Sequence, residues 1–173
     1  MKKLLATILA LVMALGLCSV SWATDPAVAK VGGQEYATLE EAVDAATEKA
    51  TVTLLADTRE NVTISTNRLT LDLNGHTLNG GTVKGKPALT VTARYVTVKD
   101  SSEAQTGTIM REDTAETSGV SSHYVIDVQG KSLLTFESGT VKNNSGNTEG
   151  KGASLVRVGD DSVSAVSYTH LRA

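Results

Sequence analysis

From Asn61 onward, apolar and polar residues alternate over short stretches. In NVTISTNRLTLDLNGHTLN, residues 61–79, Val62 and Ile64 flank Thr63, Leu69 and Leu71 flank Thr70, and Thr77-Leu78 follow Asn74-Gly75. Period-two alternation predicts half-buried strands, and the Ser-Thr-Asn and Asn-Gly interruptions predict the corners between them.

The pattern then recurs. Leu89, Val91, Val96 and Val98 repeat the first four apolar positions, and Ile126, Val128, Leu134 and Phe136 repeat them with one extra residue at the corner. Val156, Val158 and Val163 begin a fourth copy. A third-strand element returns as Gly75-His76-Thr77-Leu78, Gly107-Thr108-Ile109 and Gly139-Thr140-Val141. Three-strand units at this spacing, with insertions confined to one corner, predict a solenoid whose stacked coils share one core. Stacking would align Thr70, Thr97 and Thr135 on one outer row, and Thr63, Thr90, Asp127 and Arg157 on another. Asp72, Lys99 and Glu137 would form a third row, where opposite charges in neighbouring coils contribute roughly 0.2–1 kcal/mol a pair.

With TLDLNGHTL and the recurrent G-T-[IV] element, the chain resembles right-handed parallel β-helix proteins of the pectate-lyase-like superfamily. More narrowly it resembles secreted β-helix surface proteins of Gram-positive bacteria. The resemblance covers about Tyr36 to Ser164. It implies an all-β, right-handed parallel β-helix over 36–164, with coils from about 51, and leaves activity open because one fold hosts many functions.

Upstream, Lys2-Lys3 and the apolar run Leu4 to Leu17, followed by Ser21-Trp22-Ala23, predict a signal peptide over 1–23 cleaved after Ala23. Residues 24–35, with Pro26 and Gly32-Gly33, read as a leader. Thr38-Leu39-Glu40-Glu41 is a capping box, and Leu39, Ala42, Val43 and Ala46 fall at helical spacing. A short helix over about 38–48 is therefore expected as a lid over the first coil, above a strand at Thr51 to Leu55.

The full chain has 16 basic and 19 acidic residues, and losing Lys2 and Lys3 moves its formal charge from −3 to −5. That balance argues against nucleic acid or an anionic membrane as partner. No membrane span is expected after signal cleavage. The one cysteine, Cys18, and the one tryptophan, Trp22, both leave with the signal. No disulfide framework and no aromatic sugar platform are expected.

Chemistry, where the sequence offers any, lies in the corner insertions Asn79 to Ala88, Met110 to Tyr124 and Lys142 to Ser154, since loops on a rigid scaffold carry recognition. The middle insertion is the richest. Arg111, Glu112, Asp113, His123 and Tyr124 are the candidate ligand-binding residues. No catalytic residue, cofactor or metal site is expected. Lys99 interrupts the only stacked acidic row, whereas a lyase of the resembled kind implies carboxylates holding calcium. Glu112, Asp113 and Glu116 share one loop rather than facing each other across a cleft, and Asp160-Asp161 reads as a turn. His76 and His123 lack metal-ligand spacing. Asn61-Val62-Thr63 matches a glycan-acceptor triplet without meaning in a bacterial chain.

After Ser164 the template breaks, and 165–173 looks like translated adapter read-through. The chain is thus expected to be a C-terminally truncated piece of a longer protein, able to self-associate through its uncapped end. The reading is a secreted, extracellular or wall-associated module. It would be adhesin-like or structural, contacting an extracellular glycan or a host or cell-surface protein. The alternative is the first coils of a polysaccharide lyase or glycoside hydrolase.

Overall fold

The structure, a computed structural model, describes residues 26–83, 85–112, 124–144, 154–159 and 165–168. The expected signal segment, and Asp113 and His123 of the candidate loop, lie outside these residues.

Among the described residues the fold is all-β apart from one short helix. Its strands are β1 (Ala29–Val31), β2 (Gln34–Tyr36), β3 (Thr51–Leu54), β4 (Thr58–Arg59), β5 (Val62–Ile64), β6 (Thr70–Asp72) and β7 (Thr77–Asn79). Then come β8 (Leu89–Val91), β9 (Val96–Lys99), β10 (Thr108–Arg111), β11 (Ile126–Val128), β12 (Leu133–Phe136), β13 (Thr140–Asn143), β14 (Val156–Val158) and β15 (Ala165–Tyr168). The helix is α1 (Leu39–Asp44).

From β5 the chain visits three sheets in rotation. Sheet A runs β15-β12-β9-β6-β3-β1-β2, sheet B runs β13-β10-β7-β4, and sheet C runs β14-β11-β8-β5. Every pair from β3 onward is parallel, and the registers match the repeats read from the sequence. Val62, Leu89, Ile126 and Val156 are partners across sheet C. Leu71, Val98 and Phe136 are partners across sheet A, and Leu78, Ile109 and Val141 across sheet B. These side chains are buried through the third copy because they face inward together. The outer threonine row holds too, and is longer than expected: Thr51, Thr70, Thr97, Thr135 and Ser167 stand in one register. In the charged row Lys99 pairs with Asp72, with Nζ 3.6 Å from Oδ2.

Four expectations need correcting. Residues 24–35 are not simply a leader, because β1 and β2 form a hairpin through Gly32-Gly33, at φ +57° and +84°. Two successive positive φ angles suit glycine and match the twist of a tight hairpin. Strand β1 then pairs antiparallel with β3, with Ala29 opposite Leu54 and Val31 opposite Val52. The free edge of β3 is thereby covered.

The helix is shorter than 38–48, and its capping is only half the expected box. The Thr38 hydroxyl accepts from Glu41 N at 3.1 Å. The free N–H groups of Leu39 and Glu40 are met instead by the two carboxylate oxygens of Glu60, each at 3.0 Å. Satisfying orphan N–H groups with an anion suits a helix N-terminus. Leu39, Ala42 and Val43 are buried, and α1 packs on β1, β2, β3 and β5.

The fourth copy is registered differently. Leu134 pairs with Val166 rather than Val163, so the coil pattern does not stop at Ser164, and Ala165–Tyr168 is a strand of sheet A. Finally, Asp127 keeps its place opposite Thr90 and Arg157 but is buried, not an open surface residue.

At the corner from sheet A to sheet B the turns are tied by carboxylates. Asp72 Oδ1 accepts from Asn74 N and Ser101 N at 3.1 and 3.0 Å. Asp100 accepts from Gly75 N, Ser102 N and Gly107 N at 2.8, 3.0 and 2.6 Å. Burial by itself would raise the Asp100 pKa, but the hydrogen bonds from Ser102, Gly107 and Gly75 outweigh it and hold the carboxyl below its usual value.

Candidate functional site

The three corner insertions all connect sheet B to sheet C, leaving β7, β10 and β13 and returning at β8, β11 and β14. The candidate residues therefore gather at one corner, but not as one exposed cluster.

Arg111 ends β10, two residues after the inward-facing Ile109, and alternation turns it inward as well. It is fully buried. Its Nη2 donates to Val83 O at 2.6 Å, which pins the preceding corner. Among the described residues, Nε and Nη1 have no hydrogen-bond partner. Burial pushes the guanidinium pKa down, and the electrostatic pull of Tyr124 partly offsets this. Tyr124 is itself buried, and the Arg157 guanidinium lies over its ring at 4.6 Å. Arg157 is in turn held by Asp127, with Nε to Oδ1 at 2.8 Å and Nη2 to Oδ2 at 2.7 Å. This bidentate contact supplies partners for both carboxylate oxygens of the buried Asp127.

Glu112 points the other way. Its carboxylate accepts from Asn79 Nδ2 at 2.6 Å and from Arg59 Nη2 at 2.7 Å. Arg59 and Asn79 are register partners on β4 and β7. Arg111 and Tyr124 are thus brought together inside, and Glu112 joins a surface array with Arg59 and Asn79, so the three described candidates form no single cluster.

Sequence reasoning missed Arg59 and Asn61. Arg59 sits on a two-residue strand too short to show alternation. Asn61 was set aside as a chance glycan-acceptor match, yet its Nδ2 faces three backbone carbonyls, Gly80 O and Pro87 O at 2.9 Å and Lys86 O at 3.4 Å. The amide holds the 80–88 corner against β5. Shallow grooves lie on either side of it. One, of about 170 Å³, is lined by Arg59, Asn61 and the Gly80–Val83 backbone, and the other, of about 260 Å³, by Asn61, Thr63, Lys86 and Thr90. Each offers hydrogen-bonding groups and one cation, Arg59 beside Glu60 in the first and Lys86 in the second, which suits a polar ligand lying on the surface.

The buried guanidinium leads to a direct test. A charge with two unmet N–H groups is costly to bury. Arg111→Met keeps the apolar stem, so stability in urea should stay level or rise by about 1 kcal/mol despite loss of the bond to Val83. A loss beyond about 2 kcal/mol would mean that residues outside those described supply the missing acceptors.

No protein-family model, no curated protein and no solved structure matches this chain.

Proposed function

We propose that the chain is a right-handed parallel β-helix of the pectate-lyase-like kind. In this reading it is a non-catalytic, adhesin-like or structural module, secreted or displayed at the cell surface, that meets an extracellular glycan or protein through its corner from sheet B to sheet C. The observation that carries this reading is the rotation of strands through three in-register parallel sheets, with the longest and most variable connections (80–88, 112–125 and 144–155) all at that corner. A scaffold that repeats faithfully while one corner varies suits recognition by loops.

Among the described residues, the carboxylates at this corner favour binding over cleavage. Glu112 is neutralised by Arg59 and engaged by Asn79, and Asp127 by Arg157. The second reading, the first coils of a polysaccharide lyase or glycoside hydrolase, rests on the sequence resemblance alone.

The test replaces 113–123 by a short glycine-containing corner, keeping Arg111, Glu112 and Tyr124, which tie the neighbouring coils. The fold should persist, because the same corner already accommodates different lengths. Parent and replaced forms are compared on an array of unsulfated glycans and an extracellular-matrix protein panel, with binding expected only for the parent. Calcium-dependent release of unsaturated sugars by the parent would overturn the non-catalytic reading.

A further inference from the structure

The corner from sheet C to sheet A carries a different kind of surface. Pairing of Thr51 with Thr70 and of Thr70 with Thr97 places Lys49, Arg68 and Tyr95 at equivalent positions two residues upstream. All three have a left-handed backbone, at φ +68°, +58° and +61°. Non-glycine residues adopt this conformation at a cost of about 1–2 kcal/mol each, so their side chains are retained against a local preference for glycine. Backbone bonds lock the stack: Arg68 N donates to Arg94 O and Arg94 N to Asn67 Oδ1, both at 2.9 Å. Arg94, next to Tyr95, and Lys131, beside Gly130 at φ +61°, each lie three residues past the paired Val91 and Val128, at the same corner but outside that file.

The charges are sorted by corner. Segments 47–50, 65–68, 92–95 and 129–132 carry Lys49, Arg68, Arg94 and Lys131 against one acid, Glu48, whose exposed carboxylate pairs with Arg68 at 3.2 Å, an exposed contact that a polyanion can replace. The corner from sheet A to sheet B, at 55–57, 73–76, 100–107 and 137–139, carries Asp57, Asp100, Glu103 and Glu137 with no Lys or Arg. A chain of net charge −3 thus presents a basic ridge along one edge. Lys49, Arg68, Arg94 and Lys131 are all exposed, and Tyr95 is 53% exposed with the Arg68 guanidinium 5.6 Å from its ring centre.

We propose that this ridge binds a sulfated linear polysaccharide lying along the stack, across the strands. Parallel strands repeat every 4.7–4.9 Å or so, close to the length of one sugar in an extended chain, so cations on successive coils meet anions on successive sugars. Sulfate esters are weakly hydrated and stand off the ring on short arms. They match the weakly hydrated guanidinium groups of Arg68 and Arg94 better than a ring carboxylate does. Tyr95 offers a flat face to a sugar. A second copy of this chain, acidic corner against basic ridge, is the weaker fit, because exposed ion pairs contribute only about 0–1 kcal/mol each. A linear polyanion adds the free energy of released counterions.

The ridge lies at a different corner from the proposed ligand loops and does not depend on them. Binding of heparin, as the sulfated probe, would be measured by calorimetry beside desulfated heparin, polygalacturonate and single-stranded DNA. Heparin should bind, with affinity falling roughly 50-fold as salt rises from about 50 to about 200 mM if four cations are engaged. Arg94→Glu with Lys131→Glu should weaken it at least about tenfold with an unchanged melting temperature, while Lys30→Glu with Lys142→Glu, the same charge change on strands away from that corner, should cost under about threefold. The form lacking 113–123 should bind heparin like the parent. No binding by the parent, equal losses in the two double variants, equal binding of the unsulfated polymers or of DNA, or salt-sensitive self-association in place of binding would each overturn the proposal.

Discussion

Leu71→Asp is expected to unfold much of the structure, whereas Thr70→Asp, one residue away, should change stability by no more than about 0.5 kcal/mol. Leu71 has no exposed surface and lies in the inner row between Val52 and Val98. Thr70 is half-buried in the outer row between Thr51 and Thr97. Adjacent residues on a strand face opposite sides, so the same substitution meets core in one case and water in the other. A carboxylate at Leu71 loses the leucine's burial, worth about 1.5–3 kcal/mol, and must be desolvated without a partner, at a cost of several kcal/mol more. Because the inner row is shared by stacked coils, the damage should spread to β3 and β9. Far-UV circular dichroism and urea melts on the two variants decide it, and similar midpoints would mean that the inner and outer rows are wrongly assigned.

That contrast was legible from the sequence because the alternation repeats. Val62-Thr63-Ile64 alone would be ambiguous, but the same polar-apolar order at Leu89, Ile126 and Val156 sets which residues stack, and the observed partners follow it. Where the repeat is absent, the sequence says less. The β1–β2 hairpin has few apolar residues and no copy elsewhere, so Gly32-Gly33 reads as a linker until β1 is seen to cover β3. In the fourth copy Val163 imitates the expected position closely enough to hide that Val166 occupies it.

The candidate site shows a second kind of failure. Alternation through Ile109, Met110 and Arg111 already points Arg111 inward, but the strong preference of arginine for water argues for a surface role. The structure follows the alternation, with Val83 O accepting one of the guanidinium's hydrogen bonds. Glu112 goes to the surface and finds Arg59, a partner 53 residues away that no local pattern links to it. The basic ridge was invisible for the same reason. Lys49, Arg68, Arg94 and Lys131 are scattered in the sequence, and only the stacking of the coils brings them to one corner.

Gly107→Ala should be a strongly damaging addition of a single methyl group. The new Cβ would lie 2.6 Å from Leu73 Cβ and 2.7 Å from both Asp100 Cγ and Oδ2. None of these atoms can move freely. Leu73 is in the core, and Asp100 is held by three backbone N–H groups, including that of Gly107 itself at 2.6 Å. Relief therefore means either shifting the coil below or breaking the Asp100 network. Overpacking of this kind costs about 1–3 kcal/mol, and a lost hydrogen bond to a charged group adds roughly 1.5–3 kcal/mol. Gly32→Ala is the control. Its Cβ would meet nothing within 4 Å, so only the cost of φ +57° remains, about 1–2 kcal/mol. The network also sets an acid response. The Asp100 pKa is lowered in the folded chain, so the unfolded chain takes up a proton first as pH falls. The stability that Asp100 contributes is complete above its unfolded value, near 3.8, and drains away as pH drops through the lower folded value. Asp100→Asn should therefore destabilise the protein at neutral pH and flatten the fall in stability below about pH 4. Urea melts from about pH 7 to about pH 2.5 would show this as converging midpoints for parent and variant at the acid end. Parallel curves across the whole range would mean that Asp100 is not the group being titrated, and a Gly107→Ala protein no less stable than Gly32→Ala would mean that the corner is looser than the packing of Leu73 and Asp100 requires.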